Sequence, residues 1–252
     1  MATPTDEPGL DGDRPALDGP QLIDLLCEGE LEIVGRLTDA TNATFLAQAA
    51  KGEDELLCVY KPRRGERPLD DFPLGTLSKR ERGAYLVSEA SGWDIVPPTL
   101  LRDGPFGPGM VQAWIEIDPE VDVLEMVMTG DDRLRTIAVF DVITNNADRK
   151  GSHLLPVDSG RIYGVDHGIC FNAEPKLRTV LWAWRGSELR PDELGAVRRV
   201  RDALDAELGV ALSELLSRHE IQATIGRAQA LLDDGCFPEP DPTRPAVPWP
   251  PF

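Results

Sequence analysis

Apolar positions at Leu22, Ile23, Leu25 and Leu26 have the spacing of a short helix over residues 21–28. Two β-prone runs follow, 31–37 and 44–50, joined by the polar turn Thr38-Asp39-Ala40-Thr41-Asn42. A third apolar run, 56–61, ends at Pro62, which cannot donate to a strand ladder. Residues 77–90 carry a helical period with Leu77, Ala84, Tyr85, Leu86 and Ala90 inward, and Gly92 is placed to stop it. Runs 97–101 and 109–115 read as two more strands around a Gly/Pro turn. From Val121 the period becomes helical and reaches an apolar helix over 134–144. Short β-runs 154–157 and 161–165 then flank the turn Asp158-Ser159-Gly160. Beyond residue 177 the pattern is mostly helical: a helix is predicted over 177–184, and Leu212, Leu215, Leu216, Ile221, Ile225, Ala228, Leu231 and Leu232 mark buried faces further on. The order predicts an α+β fold, a small antiparallel sheet with one helix after its third strand, followed by a mostly helical lobe.

Composition narrows the function. A chain of 252 residues, 41% hydrophobic, suits one large domain or two small lobes around a cleft. No apolar run reaches the roughly 18 residues that cross a bilayer, so no transmembrane segment is expected. Residues 1–20, rich in Asp, Pro and Gly, lack the basic and apolar regions of a secretory leader; disorder and a cytoplasmic location are expected. The net charge of −18 repels phosphate backbones and argues against nucleic acid as a partner. Four cysteines lie far apart with no Cys-x-x-Cys pair, which excludes a zinc ribbon or a dithiol redox site, and Cys58 and Cys170 sit in apolar runs as core residues. The proline-rich tail, 238–252, cannot form a helix, and either packs its aromatic residues on the body or stays disordered.

The chemistry gathers in two segments. Residues 141–153 read Asp-Val-Ile-Thr-Asn-Asn-Ala-Asp-Arg-Lys-Gly-Ser-His, an apolar run that delivers a polar loop with an acid. Then Tyr163-Gly164-Val165-Asp166-His167-Gly168 delivers a second acid at the end of a β-like run. Phosphoryl transfer uses one carboxylate to accept the proton of the attacking hydroxyl and another to hold the metal that bridges the phosphates. Gly-x-x-x-x-Gly-Lys, Gly-x-Ser-x-Gly and His-Glu-x-x-His are all absent.

These residues, in this order of elements, resemble the protein-kinase-like fold, and specifically its atypical members related to the phosphatidylinositol 3- and 4-kinases; the resemblance spans roughly residues 31–172. It implies a two-lobed fold and an ATP-dependent kinase that uses Mg2+ or Mn2+. By that resemblance Asp148, in Asp148-Arg149-Lys150-Gly151-Ser152-His153, orients the acceptor hydroxyl and takes its proton. The family places a metal-binding Asn where this chain has His153, an imidazole in place of a hard oxygen ligand. His153 either contacts the metal shell or a phosphate, or is bound to the loop backbone; Asn145 and Asn146 either compensate or pin the loop. Asp166 would chelate the metal, with Gly168 allowing the turn and His167 replacing an aromatic by packing. Lys61 would neutralise the nucleotide phosphates, paired with Glu81 or, second, Glu89. The adenine would rest near Gln112 and Trp114 between the lobes, under a polar loop between Leu37 and Phe45 rather than a glycine-rich one. The division implied is a disordered segment 1–20, a nucleotide-binding lobe 21–115, a helical catalytic lobe 116–237 and the tail 238–252.

The reading is therefore an ATP- and metal-dependent phosphotransferase of the phosphatidylinositol-kinase-like class, with a nucleotide and an unidentified phosphate acceptor as partners. The short stretch between Asp166 and the helix predicted at 177 leaves little room for a peptide-docking segment, and no Ala-Pro-Glu follows. A nucleotide-binding pseudokinase is the alternative, and a metal-dependent phosphohydrolase built on Asp148, His153, Asp166 and His167 is a third.

Overall fold

The structure, a computed structural model, describes residues 19–37 and 42–252. Most of the expected disordered segment 1–20, and residues 38–41 of the polar turn, lie outside the described residues. Helix α1 (Gly19–Glu28) leads into β1 (Glu30–Leu37), β2 (Thr44–Lys51) and β3 (Asp54–Pro62). Helix α2 (Leu77–Ser91) follows, then β4 (Thr99–Gly104) and β5 (Gly107–Ala113). The five strands form one antiparallel sheet in the order β1-β2-β3-β5-β4. Strand β4 starts only at Thr99 because Pro97 and Pro98 have no N–H to give a ladder.

Strand alternation divides the sheet into two faces. One is dry: Cys58 and Tyr60 of β3 and Val111 and Ala113 of β5 pack with Leu25 and Leu26 of α1. The other face carries Leu57, Val59 and Lys61, opposite which the register places Met110 and Gln112. Helix α2 packs against β4 and β5 and is buried on several sides, including at Ser78, Arg80, Glu81 and Ser88. It ends at Gly92 in the left-handed conformation, φ 71°, as a helix stop requires.

Strands β3 and β5 approach closely beside Lys61. A methyl group at Gly109 would sit 2.5 Å from the Lys61 carbonyl oxygen and 2.8 Å from Pro62 Cα, both backbone atoms that cannot step aside. Gly109→Ala is expected to cost about 1–3 kcal/mol by overpacking. The check is a lower denaturant midpoint at unchanged m-value.

The regular structure of the remaining chain is mostly helical: α3 (Val123–Thr129), α4 (Arg135–Thr144), α5 (Pro191–Leu204), α6 (Glu207–Ser213) and α7 (Arg218–Asp234), with the hairpin β6 (Leu154–Pro156) and β7 (Ile162–Gly164) between α4 and α5. Its core joins Ile137, Phe140 and Ile143 of α4 to Leu154 and Ile162 of the hairpin and to Val197, Val200, Leu212 and Leu231 of the later helices. The α+β architecture is the one the pattern predicts.

One element departs from it. Residues 177–184, expected as a helix, are irregular, and no helix forms until Pro191. Leu181 and Trp184 are buried as the apolar spacing requires, but the backbone between them is committed elsewhere. Arg149 N donates to Arg178 O at 3.0 Å, Val180 N to Arg149 O at 3.1 Å and Thr179 N to Ala246 O at 3.0 Å. A helix would consume those groups internally. The tail 238–252 packs back on the body, largely through its backbone: Trp182 Nε1 donates to Ala246 O at 2.9 Å and Gly151 N to Pro251 O at 2.8 Å. Trp249 stays 88% exposed, whereas the Phe252 ring rests over Gly151.

Candidate functional site

Strand β3 projects Lys61 from the open face of the sheet toward α2. Its Nζ donates to Glu81 Oε1 at 2.7 Å and to Asp166 Oδ1 at 2.8 Å, so one ammonium ties β3, α2 and the turn after β7 together. Glu81 is almost wholly buried, and its Oε2 accepts from His167 N at 2.9 Å. Glu89, the other sequence candidate, is exposed. Burial lifts the Glu81 carboxyl above its ordinary range, against the pull of Lys61. Burial also works against the Lys61 ammonium, but Asp166 and Glu81 outweigh it and hold its pKa above the ordinary value. Lys61 holds Asp166 well below the usual carboxylate range.

Asp166 itself sits at φ 59°, in the left-handed region, a conformation that costs a non-glycine residue about 1–2 kcal/mol. The turn was expected to depend on Gly168, and it does not. Gly168 has no positive φ, and a methyl group there would make ordinary contacts with Leu77 and Glu81. The strain falls on the acid, where Lys61 compensates it.

The loop with Asp148 is assembled from below. Helix α4 ends at Asn145 with φ 52°, and Asn145 Nδ2 donates to Asn172 O at 2.8 Å and Glu174 O at 2.7 Å. Asn146 Oδ1 accepts from Asp148 N at 3.0 Å, while its Nδ2 donates to Asp141 Oδ1 at 3.0 Å. Both amides therefore pin the loop. Arg149, next to Asp148, points into the core: it is 0% exposed, its Nε donates to Asp141 Oδ2 at 3.0 Å and its Nη2 to Asp141 Oδ1 at 2.9 Å. It also donates to Val165 O at 3.0 Å and to His167 Nε2 at 2.7 Å, linking the two acidic segments underneath.

Asp148 remains half-buried, facing Lys150 at 3.2 Å. Burial raises its carboxyl pKa, with Lys150 opposing the rise. His153 Nε2 lies 3.4 Å from Asp166 Oδ2, and its Nδ1 accepts a long bond, 3.5 Å, from Lys150 N. Burial pulls the His153 imidazole down to about 4, so it is neutral at physiological pH. His167 is wholly buried edge-on to Phe140, at 5.5 Å between ring centres, and burial keeps it neutral too. With Nε2 accepting from Arg149, its proton is on Nδ1, which has no partner among the described residues.

Lys61, Glu81, Asp166 and His153 thus form one contact chain, with Asp148 beside it. Gln112 and Trp114 do not join it. Gln112 is buried on the same sheet face but donates its Nε2 to Thr99 Oγ1 at 2.8 Å. Trp114 N donates to Leu57 O at 3.0 Å, and its indole to Glu116 at 2.9 Å. The sequence reading passed over three sets of residues. Asp141 anchors the whole loop, and a lone acid inside the apolar helix is its one signal in the sequence. Thr179 Oγ1 adds a bond to Asp141 Oδ2 at 3.3 Å. Leu46 and Val59, half-buried and paired across β2 and β3 on the face of Lys61, form an apolar floor that only the strand register reveals.

No protein-family model matches this chain. It is 45% identical over 263 residues to Protein Rv2133c of Mycobacterium tuberculosis (strain ATCC 25618 / H37Rv), an alignment that covers 90% of this chain and 94% of that protein. Among solved structures, it is similar to a Helicobacter pylori proinflammatory kinase, CtkA, with a TM-score of 0.50 and 12% identity, covering 81% of this chain and 92% of the other. At that identity the likeness is one of fold, and the fold is protein-kinase-like.

Proposed function

We propose that this chain, which belongs to the family of the mycobacterial protein Rv2133c, is an ATP- and metal-dependent phosphotransferase of the phosphatidylinositol 3-/4-kinase-like class that acts on a hydroxyl acceptor. The observation that carries the proposal is the Lys61 ammonium held between Glu81 and Asp166 at 2.7 and 2.8 Å. An ordinary surface lysine does not order two carboxylates from distant elements. In this role Lys61 meets the nucleotide phosphates, Glu81 fixes its direction, and Leu46 and Val59 offer the base an apolar surface. Asp148 accepts the proton of the acceptor hydroxyl, and its raised pKa makes it the better base.

Asp166 fits a divalent cation: its side chain is 46% exposed, its oxygens are hard donors, and such ions take only one or two protein carboxylates when phosphates supply the rest. The metal would neutralise charge on the bridged phosphates. His153 fits less well as a direct ligand. With Nδ1 accepting from Lys150 N, its Nε2 carries a proton directed at Asp166, which steadies the carboxylate rather than adding a lone pair. The phosphohydrolase reading loses its fourth residue, because His167 is buried on Arg149. Among the described residues no three of His, Cys, Asp and Glu gather as a metal site.

The test is nucleotide binding by calorimetry with and without Mg2+ or Mn2+. Binding that strengthens with metal in the wild type and loses that dependence in Asp166→Ala is expected. Lys61→Met should weaken nucleotide binding at least about tenfold, the worth of one charge-assisted phosphate contact. No nucleotide binding at all would sink the kinase. Binding with no turnover on any acceptor would leave the pseudokinase, for which His153 in place of an oxygen ligand is the supporting observation.

A further inference from the structure

A cavity of about 740 Å³ lies in the helical lobe, within the size range of small-molecule sites. Its walls come from the linker between β3 and α2, the loop before Asp148, residues 169–182, one face of α7 and the proline-rich tail. Asn145 and Ala147, on the loop that ends in Asp148, line it directly. Arg178, also in the wall, donates Nε to Ala147 O at 2.8 Å, and its charge acts on the Asp148 carboxyl. The cavity therefore abuts the loop of the proposed base.

Its charge is uneven. Lys176 is paired with Asp71 at 2.6 Å, and Arg244 lies 3.8 Å from Asp241. Neither Arg178 nor Arg227 makes a close ion pair among the described residues, although the Arg178 charge still acts on Asp71 and Asp148. Arg227 satisfies its guanidinium only on neutral acceptors, Ile143 O at 2.9 Å, Asn172 O at 3.3 Å and Thr224 Oγ1 at 2.8 Å. Burial pulls its pKa down to about 10, the mark of a cation kept without a counter-charge. Lys176, Arg178, Arg227 and Arg244 in the wall outnumber Asp71, Glu239 and Asp241 by one, an excess of positive charge that is unexpected in a chain of net charge −18. Apolar groups such as Ile169, Leu177 and Trp182 complete the walls.

We infer that this cavity is the acceptor site of the proposed phosphotransferase, and that it takes a small hydroxyl compound bearing a phosphate or carboxylate, the anion held by Arg227 and Arg178 with the hydroxyl toward Asp148. The inference rests on the kinase reading of the Lys61–Asp166 site. In the step, the acceptor oxygen forms a bond to the γ-phosphorus and the bond from that phosphorus to the β–γ bridging oxygen breaks. The nucleoside diphosphate leaves with the electron pair, and the hydroxyl proton passes to Asp148 and then to water.

The test titrates the full chain with sn-glycerol 3-phosphate, with glycerol as the uncharged control, and with phosphatidylcholine vesicles with and without phosphatidylglycerol. Glycerol 3-phosphate or the phosphatidylglycerol vesicles should bind the wild type and glycerol should not. The first supports a free acceptor, the second the same headgroup carried on a lipid. Arg227→Gln and, separately, Arg178→Gln should weaken that binding at least about tenfold. Arg198→Gln, on the exposed side of α5, should leave it unchanged. ATP binding is measured on every variant. Arg178, half-buried, serves as the second variant if Arg227→Gln loses its fold by circular dichroism. No binding of either anion by a wild type that binds ATP, or equal binding by a folded arginine variant, overturns the cavity and leaves the kinase reading intact. A wild type that binds the anion but no ATP overturns the assignment as an acceptor site together with the kinase.

Discussion

Asp148→Asn is expected to lower phosphoryl turnover by about a hundred- to ten-thousand-fold, the usual worth of a positioned general base. ATP affinity should stay within a few-fold of wild type. The reason for the split is geometric. Asp148 contacts none of Lys61, Glu81 or Asp166; its partner is Lys150 at 3.2 Å, and Asn146 holds its backbone N–H at 3.0 Å. The amide keeps the size of the side chain and that backbone bond while removing the proton acceptor. Single-turnover assays with any acceptor the wild type phosphorylates, beside calorimetry of ATP, separate the two effects. If the variant retains wild-type turnover, Asp148 is not the base. If it loses ATP binding in proportion, the residue positions the nucleotide instead.

The second large effect is on stability. Asp141→Ala is expected to cost about 3–5 kcal/mol, because it strands the Arg149 guanidinium in the core. Both side chains are 0% exposed. Asp141 accepts from Arg149, Asn146 and Thr179 together, so its loss undoes bonds from the loop and from the segment that replaces the expected 177–184 helix. Arg149→Met should cost less per charge removed, since Asp141 keeps Asn146 and Thr179 as donors. The double variant Asp141→Ala/Arg149→Met should recover part of the loss, since removing a buried pair as a unit avoids leaving one charge alone. Urea unfolding of the four proteins forms the cycle. Strict additivity would show that the pair does not couple.

The sheet and most helices were legible in the sequence because their signals are local. The β-prone runs of β2 and β3, the stop at Gly92 and the Asp158-Ser159-Gly160 turn need nothing from distant residues, and Gly160 takes the positive φ, 79°, that the turn requires. Lys61, Asp148 and Asp166 were visible as charges delivered at the ends of apolar runs. Glu81 was visible only as one of two candidates, since helix spacing places charges on a face without saying what that face meets.

The exceptions have one cause. The helix predicted over 177–184 had correct apolar spacing, yet Thr179 and its neighbours bond to Asp141, Arg149 and the tail. Local propensity lost to partners that are distant in sequence. The same holds for Asp166, which rather than Gly168 adopts the left-handed turn, because Lys61 rewards that placement of its carboxylate.

What the sequence by itself determined is the order of the strands and of most helices and the α+β class; it also singled out the three charged residues on which phosphoryl transfer would rest. Only the tertiary structure decided which carboxylates share Lys61, that Arg149 turns away from the site to brace it, and that Arg227 lines a cavity with its guanidinium bonded to neutral acceptors. Periodicity is a property of neighbours along the chain. Ion pairs, desolvation and cavities depend on distances that exist only once sheet and helices have packed.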